Sequence, residues 1–72
     1  MQIKYTVSCH HVSSDYRLDK AWVTVKSNDN GKTWYCYLSK FGCSKSYTKP
    51  DYAIREMLTE HACTHIFINR VL

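Results

Sequence analysis

Hydrophobic and polar residues alternate along the first ten positions. In "IKYTVSCH", Ile3, Tyr5, Val7 and Cys9 interleave with Lys4, Thr6, Ser8 and His10. Period two with β-branched and aromatic residues predicts a strand with one buried face. "HVSSDYRLDK" breaks the alternation with Ser, Asp and charge and reads as a loop. "AWVTVKS" resumes it, with Ala21, Val23 and Val25 on one side and Trp22, Thr24 and Lys26 on the other. "NDNG" follows, whose Asn and Gly accept the positive φ of tight turns, and "KTWYCYLSK" is the return strand.

"FGCSKSYTKPD" reads as a connection that ends in a helix start. Thr48 precedes Asp51 by three positions, as in a capping box, and Pro50 suits a first helical turn. Asp51 there complements the helix dipole. "DYAIREMLTEHA" then sets Ile54, Met57, Leu58 and His61 at i, i+3, i+4 and i+7, one apolar stripe of a helix. "THIFINRVL" closes the chain as a strand with apolar residues on both faces, which predicts the best covered strand of the four.

The order is β-β-β-α-β: an α+β single domain over residues 1–72, with a four-stranded, mainly antiparallel sheet and one helix on one face. A single helix covers only one face. Ile3, Tyr5, Val7, Val23, Val25, Trp34, Cys36, Leu38, Ile54, Met57, Leu58 and Ile66 are assigned to it. The opposite face shows Lys4, Thr6, Trp22, Thr24, Lys26, Tyr35, Tyr37 and Phe67. Exposed aromatics among lysines suit a recognition surface; the same residues also serve as register-holding cross-strand pairs on a plain solvated sheet.

Composition narrows the setting. The chain is 44% hydrophobic and 14% aromatic, as a globular domain is, and carries a net charge of +4. Residues 1–50 hold eight Lys or Arg against three Asp, and residues 51–72 hold two Arg against three acids. The basic character, which favours an acidic partner, therefore belongs to the first part. "MQIKYTVSCHHV" lacks the continuous apolar run of a targeting segment, and no window approaches the roughly 20 apolar residues of a membrane span. The expectation is a cytoplasmic protein without membrane contact, whose four cysteines stay reduced. An exported chain would instead pair them as two disulfides, in one of three ways.

"SCHH" (Cys9, His10, His11) and "HACTH" (His61, Cys63, His65) are the residues with metal-ligand chemistry. With three strands before the helix, "SCHH" and Cys43 fall at one end of the sheet and "HACTH" at the other, roughly 20 Å away at about 3.3 Å per residue. On that topology the two groups share no metal, and Cys9, Cys36 and Cys63 are small buried hydrophobes. Cys43 with His10 or His11 is the one Cys–His combination for nucleophilic chemistry. Gly31 and Gly42 stand alone, so there is no phosphate loop. The expectation is a non-enzyme without cofactor or metal.

Two resemblances bear on function. "WVTVKSNDNGKTWYCYLSKFGCSKSYTKPDYAIREML", through Trp22, Gly31, Lys32, Trp34, Phe41 and its helix entry, resembles the arm-binding domains of phage and transposon integrases. Those lay a three-stranded sheet in the DNA major groove; their strands carry more Arg, and "CTHIFINRVL" has no counterpart there. The whole plan, with "KAWVTVKS", "PDYAIREMLTEH" and "IFINRVL", resembles small phage-encoded inhibitors such as anti-CRISPR proteins and inhibitors of host RNA polymerase. That resemblance implies a host protein complex as partner. Trp22, Tyr35 and Tyr37 are then anchors, with Lys4, Lys26 and Lys32 supplying charge complementarity. Direct DNA or RNA binding by the same face is the alternative. A dimer through the last strand is open, because a sheet edge is a template for pairing.

Overall fold

The computed structural model describes residues 1–71. Its elements are β1 (Gln2–His11), β2 (Arg17–Lys26), β3 (Tyr35–Leu38), β4 (Gly42–Cys43), α1 (Pro50–Glu60) and β5 (Cys63–Arg70). They form one sheet in the order β4-β3-β2-β1-β5, with each neighbouring pair antiparallel. The α+β class and the single helix on one face are as the alternation implies. The strand count is five, not four.

The additional strand reverses everything after it. Phe41 N–H closes a turn onto Leu38 O at 2.9 Å, and Gly42 adopts φ +88, where a side chain would be strained. The chain then runs back along β3, with Ser44 N–H on Cys36 O at 2.8 Å and Tyr47 exchanging two backbone hydrogen bonds with Trp34. The helix consequently starts at the opposite end of the sheet from the one expected. It delivers β5 antiparallel to β1, with His11 beside Cys63 and His10 beside Thr64. "SCHH" and "HACTH" are neighbours, and their expected separation of roughly 20 Å is overturned.

The core is Tyr5, Val7, Cys9, Val23, Val25, Trp34, Cys36, Ala53, Ile54, Met57, Leu58 and Cys63. Ile3, Leu38 and Ile66 pack at its margin, half-buried. The helix inserts Ala53, Ile54, Met57 and Leu58 and packs across β5, β2 and β3. Its start differs from the capping box: Lys49 is the extended N-cap residue, no side chain caps it, and Pro50 opens the first turn. Pro50 lacks one of the orphan N–H groups that a cap would satisfy. His61 leaves the apolar stripe altogether. It caps the C-terminus and stacks on Phe41 at 4.2 Å between ring centroids, on the exposed end of the core.

Two bulges bend β1's neighbours at the same level. Asp19 and Lys20 oppose Ser8, and His65 and Ile66 oppose Cys9, with Lys20 and His65 at φ +51 and +53. The first of these bulges carries β2 back to Arg17, into a stretch that the broken alternation had marked as loop. The strand expected to be best covered is instead an edge, and its Phe67 is 63% exposed.

The β2–β3 turn is held by one carboxylate. Asn30 and Gly31 take the positive φ that "NDNG" implies. Asp29 accepts from Lys32 N–H (3.1 Å), Thr33 N–H (2.9 Å), the Thr33 hydroxyl and the Ser27 hydroxyl (2.8 Å). These bonds, led by Thr33, lower its pKa from 3.8 to about 2. A depressed carboxylate stabilises the fold above its unfolded pKa and loses that contribution as pH falls through the folded value. Asp29→Asn is therefore expected to lower the melting temperature at pH 5, with the difference from wild type closing between pH 3.8 and about 2. Leu58 is fully buried, and Leu58→Ala is expected to cost about 2–5 kcal/mol in urea unfolding.

Candidate functional site

The face of the sheet away from α1 carries side chains set by the register of β1 and β2. Lys4 faces Thr24, Thr6 faces Trp22, and Gln2 faces Lys26, which pairs in turn with Tyr35. β5 adds Phe67 beside Ser8 and Asn69 beside Thr6. Trp22 is 66% exposed and Tyr37 64%, while Tyr35 is half-buried. Among the described residues, no helix lies over these rings, because the only one packs on the other side.

Trp22 stands between two hollows. One, of about 280 Å³, is lined by Trp22, Thr24, Lys26, Tyr35 and Tyr37, with Val23 and Cys36 at its floor. The other, of about 440 Å³, is lined by Gln2, Ile3, Lys4, Trp22, Arg70 and Val71. Lys4 Nζ sits 5.9 Å from the Trp22 ring centroid, within reach of the ring's negative face. Each hollow thus joins an aromatic wall to a cation. Among the described residues, the charged paired positions on this face are Lys4, Lys26 and Arg17. Five acids lie elsewhere, Asp51, Glu56 and Glu60 on the helix, Asp29 in its turn and Asp15 in the β1–β2 loop, while Asp19 sits in the β2 bulge opposite Ser8.

Of the six expected site residues, Lys4, Trp22, Lys26, Tyr35 and Tyr37 line these hollows. Lys32 does not. It lies in the turn before β3, where its backbone serves Asp29. Arg70 joins the second hollow unforeseen, because its place depends on β5 running antiparallel to β1, where it meets Tyr5.

At the other end of the sheet, the His and Cys residues that the topology brings together do different things. The His10 and His65 rings meet edge to face at 5.4 Å, and His11 Nδ1 accepts from Ser13 N–H at 3.2 Å. Cys63 donates weakly to His61 O at 3.8 Å. Burial and the neighbouring Cys9 push its thiol up to about 11, the opposite of an activated thiolate. Burial also raises Cys36. Among the described residues, no group of three or more His, Cys, Asp or Glu is placed to hold a metal ion. Cys43 is exposed on β4, with β3 and β2 between it and β1, about 14 Å at the usual strand spacing. His10 and His11 lie beyond its reach.

Compared with known proteins, the chain matches no family model, no curated protein and no solved structure. Among the described residues, no helix is long and apolar enough to cross a membrane.

Thiol accessibility checks this arrangement directly. Cys43 is exposed while Cys9, Cys36 and Cys63 are buried. A thiol-specific chromogenic reagent is expected to label one cysteine rapidly in the native protein and the other three only after denaturation.

Proposed function

We propose that this chain is a non-catalytic binding protein that docks its open sheet face on an acidic surface of a larger, nucleic-acid-handling protein complex, and so inhibits or regulates it. The observation that carries this reading is the outer face itself. Trp22 and Tyr37 stand more than half exposed beside Lys4 and Lys26, and every acid but Asp19, in the β2 bulge, lies on the helix or in a loop or turn. Large exposed aromatics are costly to leave in water and are the residues that dominate binding hot spots. The lysines speed encounter with a negative surface and reject positive ones. The likeness of plan to small phage-encoded inhibitors, including the anti-CRISPR kind, points to the same class of partner, with a cytoplasmic setting as its corollary.

A second reading has an observation of its own. The two hollows on either side of Trp22 each offer a cation next to an aromatic wall, the arrangement on which single-stranded DNA or RNA stacks a base and rests its phosphates. Salt separates the two readings. Tryptophan fluorescence titrated with a single strand of about 20 nucleotides shows affinity falling steeply between about 50 and 200 mM salt if phosphates are the ligand. No binding at the lower salt eliminates nucleic acid.

The test of the leading reading is affinity capture from nuclease-treated bacterial lysate. Wild type is expected to retain a discrete protein complex, and the folded Trp22→Ala/Tyr37→Ala variant to lose it by about 30-fold or more, since hot-spot anchors are each worth about 2 kcal/mol or above. The Trp22 and Tyr37 side chains are mostly exposed, so the variant's melting temperature is expected to stay close to wild type. Equal retention by wild type and variant refutes the face as the docking surface.

A further inference from the structure

The two edges of the sheet are treated differently. β4 ends it on one side with two residues, too short to template another strand. β5 ends it on the other with eight, and "CTHIFINR" contains none of the Lys, Pro, Asp or Glu that usually guard an edge. Only the bulge at His65 and Ile66 interrupts it, and that leaves the second half of the strand regular.

The direction of the free backbone groups follows from the ladder to β1. Val71 N–H bonds Lys4 O at 2.9 Å, in the same register that pairs Tyr5 with Arg70 and Thr6 with Asn69. Antiparallel ladders alternate, so Asn69 and Phe67 turn their N–H and C=O toward β1. Ile68 and Arg70 turn theirs outward, where, among the described residues, no strand receives them.

We propose that this edge pairs with the same edge of a second copy, about a two-fold axis through Ile68. The outward groups allow that register, which engages Ile66, Ile68 and Arg70 together. An antiparallel β5–β5 ladder that uses them makes Ile68 of each copy exchange both hydrogen bonds with Ile68 of the other. Phe67, exposed and on the outer face, then lies across from Asn69 of the second copy, and Arg70 across from Ile66. No like charges oppose each other in this register, because Arg70 is the only Lys, Arg, Asp or Glu in the strand. The pairing satisfies edge groups, covers two Phe67 rings at the seam and leaves the helices on the far face. It also joins two outer faces into one ten-stranded surface, so the bivalency it confers rests on the binding role proposed above, whereas the pairing itself does not.

Analytical ultracentrifugation and amide hydrogen exchange of the isolated wild-type protein test this without any partner. Over about 5–500 µM the mass is expected to rise from 8.5 toward about 17 kDa, with Ile68 and Arg70 amides gaining about 10-fold or more protection in parallel. Asn69 and Val71, bonded to β1, are protected throughout. Arg70→Pro deletes one outward donor from an exposed residue and spares the β1 ladder; it is expected to weaken association about 10-fold or more. If that variant fails to fold, the wild-type exchange pattern decides alone. A mass of 8.5 kDa throughout, with both amides unprotected, overturns the proposal, as it would if the edge receives only another protein's strand. A dimer whose Ile68 and Arg70 amides exchange freely, or one indifferent to Arg70→Pro, overturns it too. Trp22→Ala/Tyr37→Ala is expected to dimerise like wild type, which separates this result from failure of the binding role.

Discussion

Eleven helical residues have to seal a sheet five strands wide, and a helix can do that on one side only. The buried side chains of α1 share the core with alternate residues of β1, β2 and β3 and with Cys63 of β5, and nearly all the apolar burial in the molecule is there. Everything else follows from that one-sidedness. The alternate residues of the same strands must face water, and in this chain they include Trp22 and Tyr37 as well as Lys4 and Lys26. A structural demand on the inner positions leaves the outer ones free for recognition.

How far this could be read from the sequence depended on the scale of each signal. The alternation of "IKYTVSCH" and "AWVTVKS" and the stripe of Ile54, Met57 and Leu58 span many residues, and they located β1, β2 and α1 along with most of the core. β4 spans two residues and shows no period. What defines it is a glycine at φ +88 and hydrogen bonds from Ser44 and Tyr47 to β3, none of which leaves a hydrophobic pattern. Missing it had a large effect, because each strand in an antiparallel meander reverses direction. One strand too few turned the helix and β5 upside down and put Cys63 at the far end from Cys9. The outer face survived the error, since it is set by parity along β1 and β2 rather than by what comes after.

Local spacing gives way where a tertiary constraint overrides it, as at the helix start. Thr48 and Asp51 have the spacing of a capping box, yet the chain enters the helix through Lys49 and Pro50 after being held against Trp34 at Tyr47. His61 closes the helix, as its place at the end of the stripe implies, and Phe41 from the β3–β4 turn stacks on its ring. The clustering of Cys and His at that end is genuine, but Cys9 and Cys63 are buried, and burial raises the Cys63 thiol, away from an activated thiolate.

The bulges tie these observations together. Both sit against the middle of β1, at Ser8 on one side and Cys9 on the other, and each sharpens the local twist. Ser8 Oγ accepts from Lys20 N–H at 3.0 Å, so the strain of a left-handed lysine is partly compensated by a hydrogen bond within the sheet. Below the bulges β1, β2 and β5 pair regularly, and that half carries Trp22, Lys4 and Lys26 together with the free groups of Ile68 and Arg70. Above them, the rings of Tyr16, Phe41 and His61 pack in series over the end of the core. One end of the sheet is thereby given over to closing the core. The regular end leaves Trp22, Lys4 and Lys26 exposed.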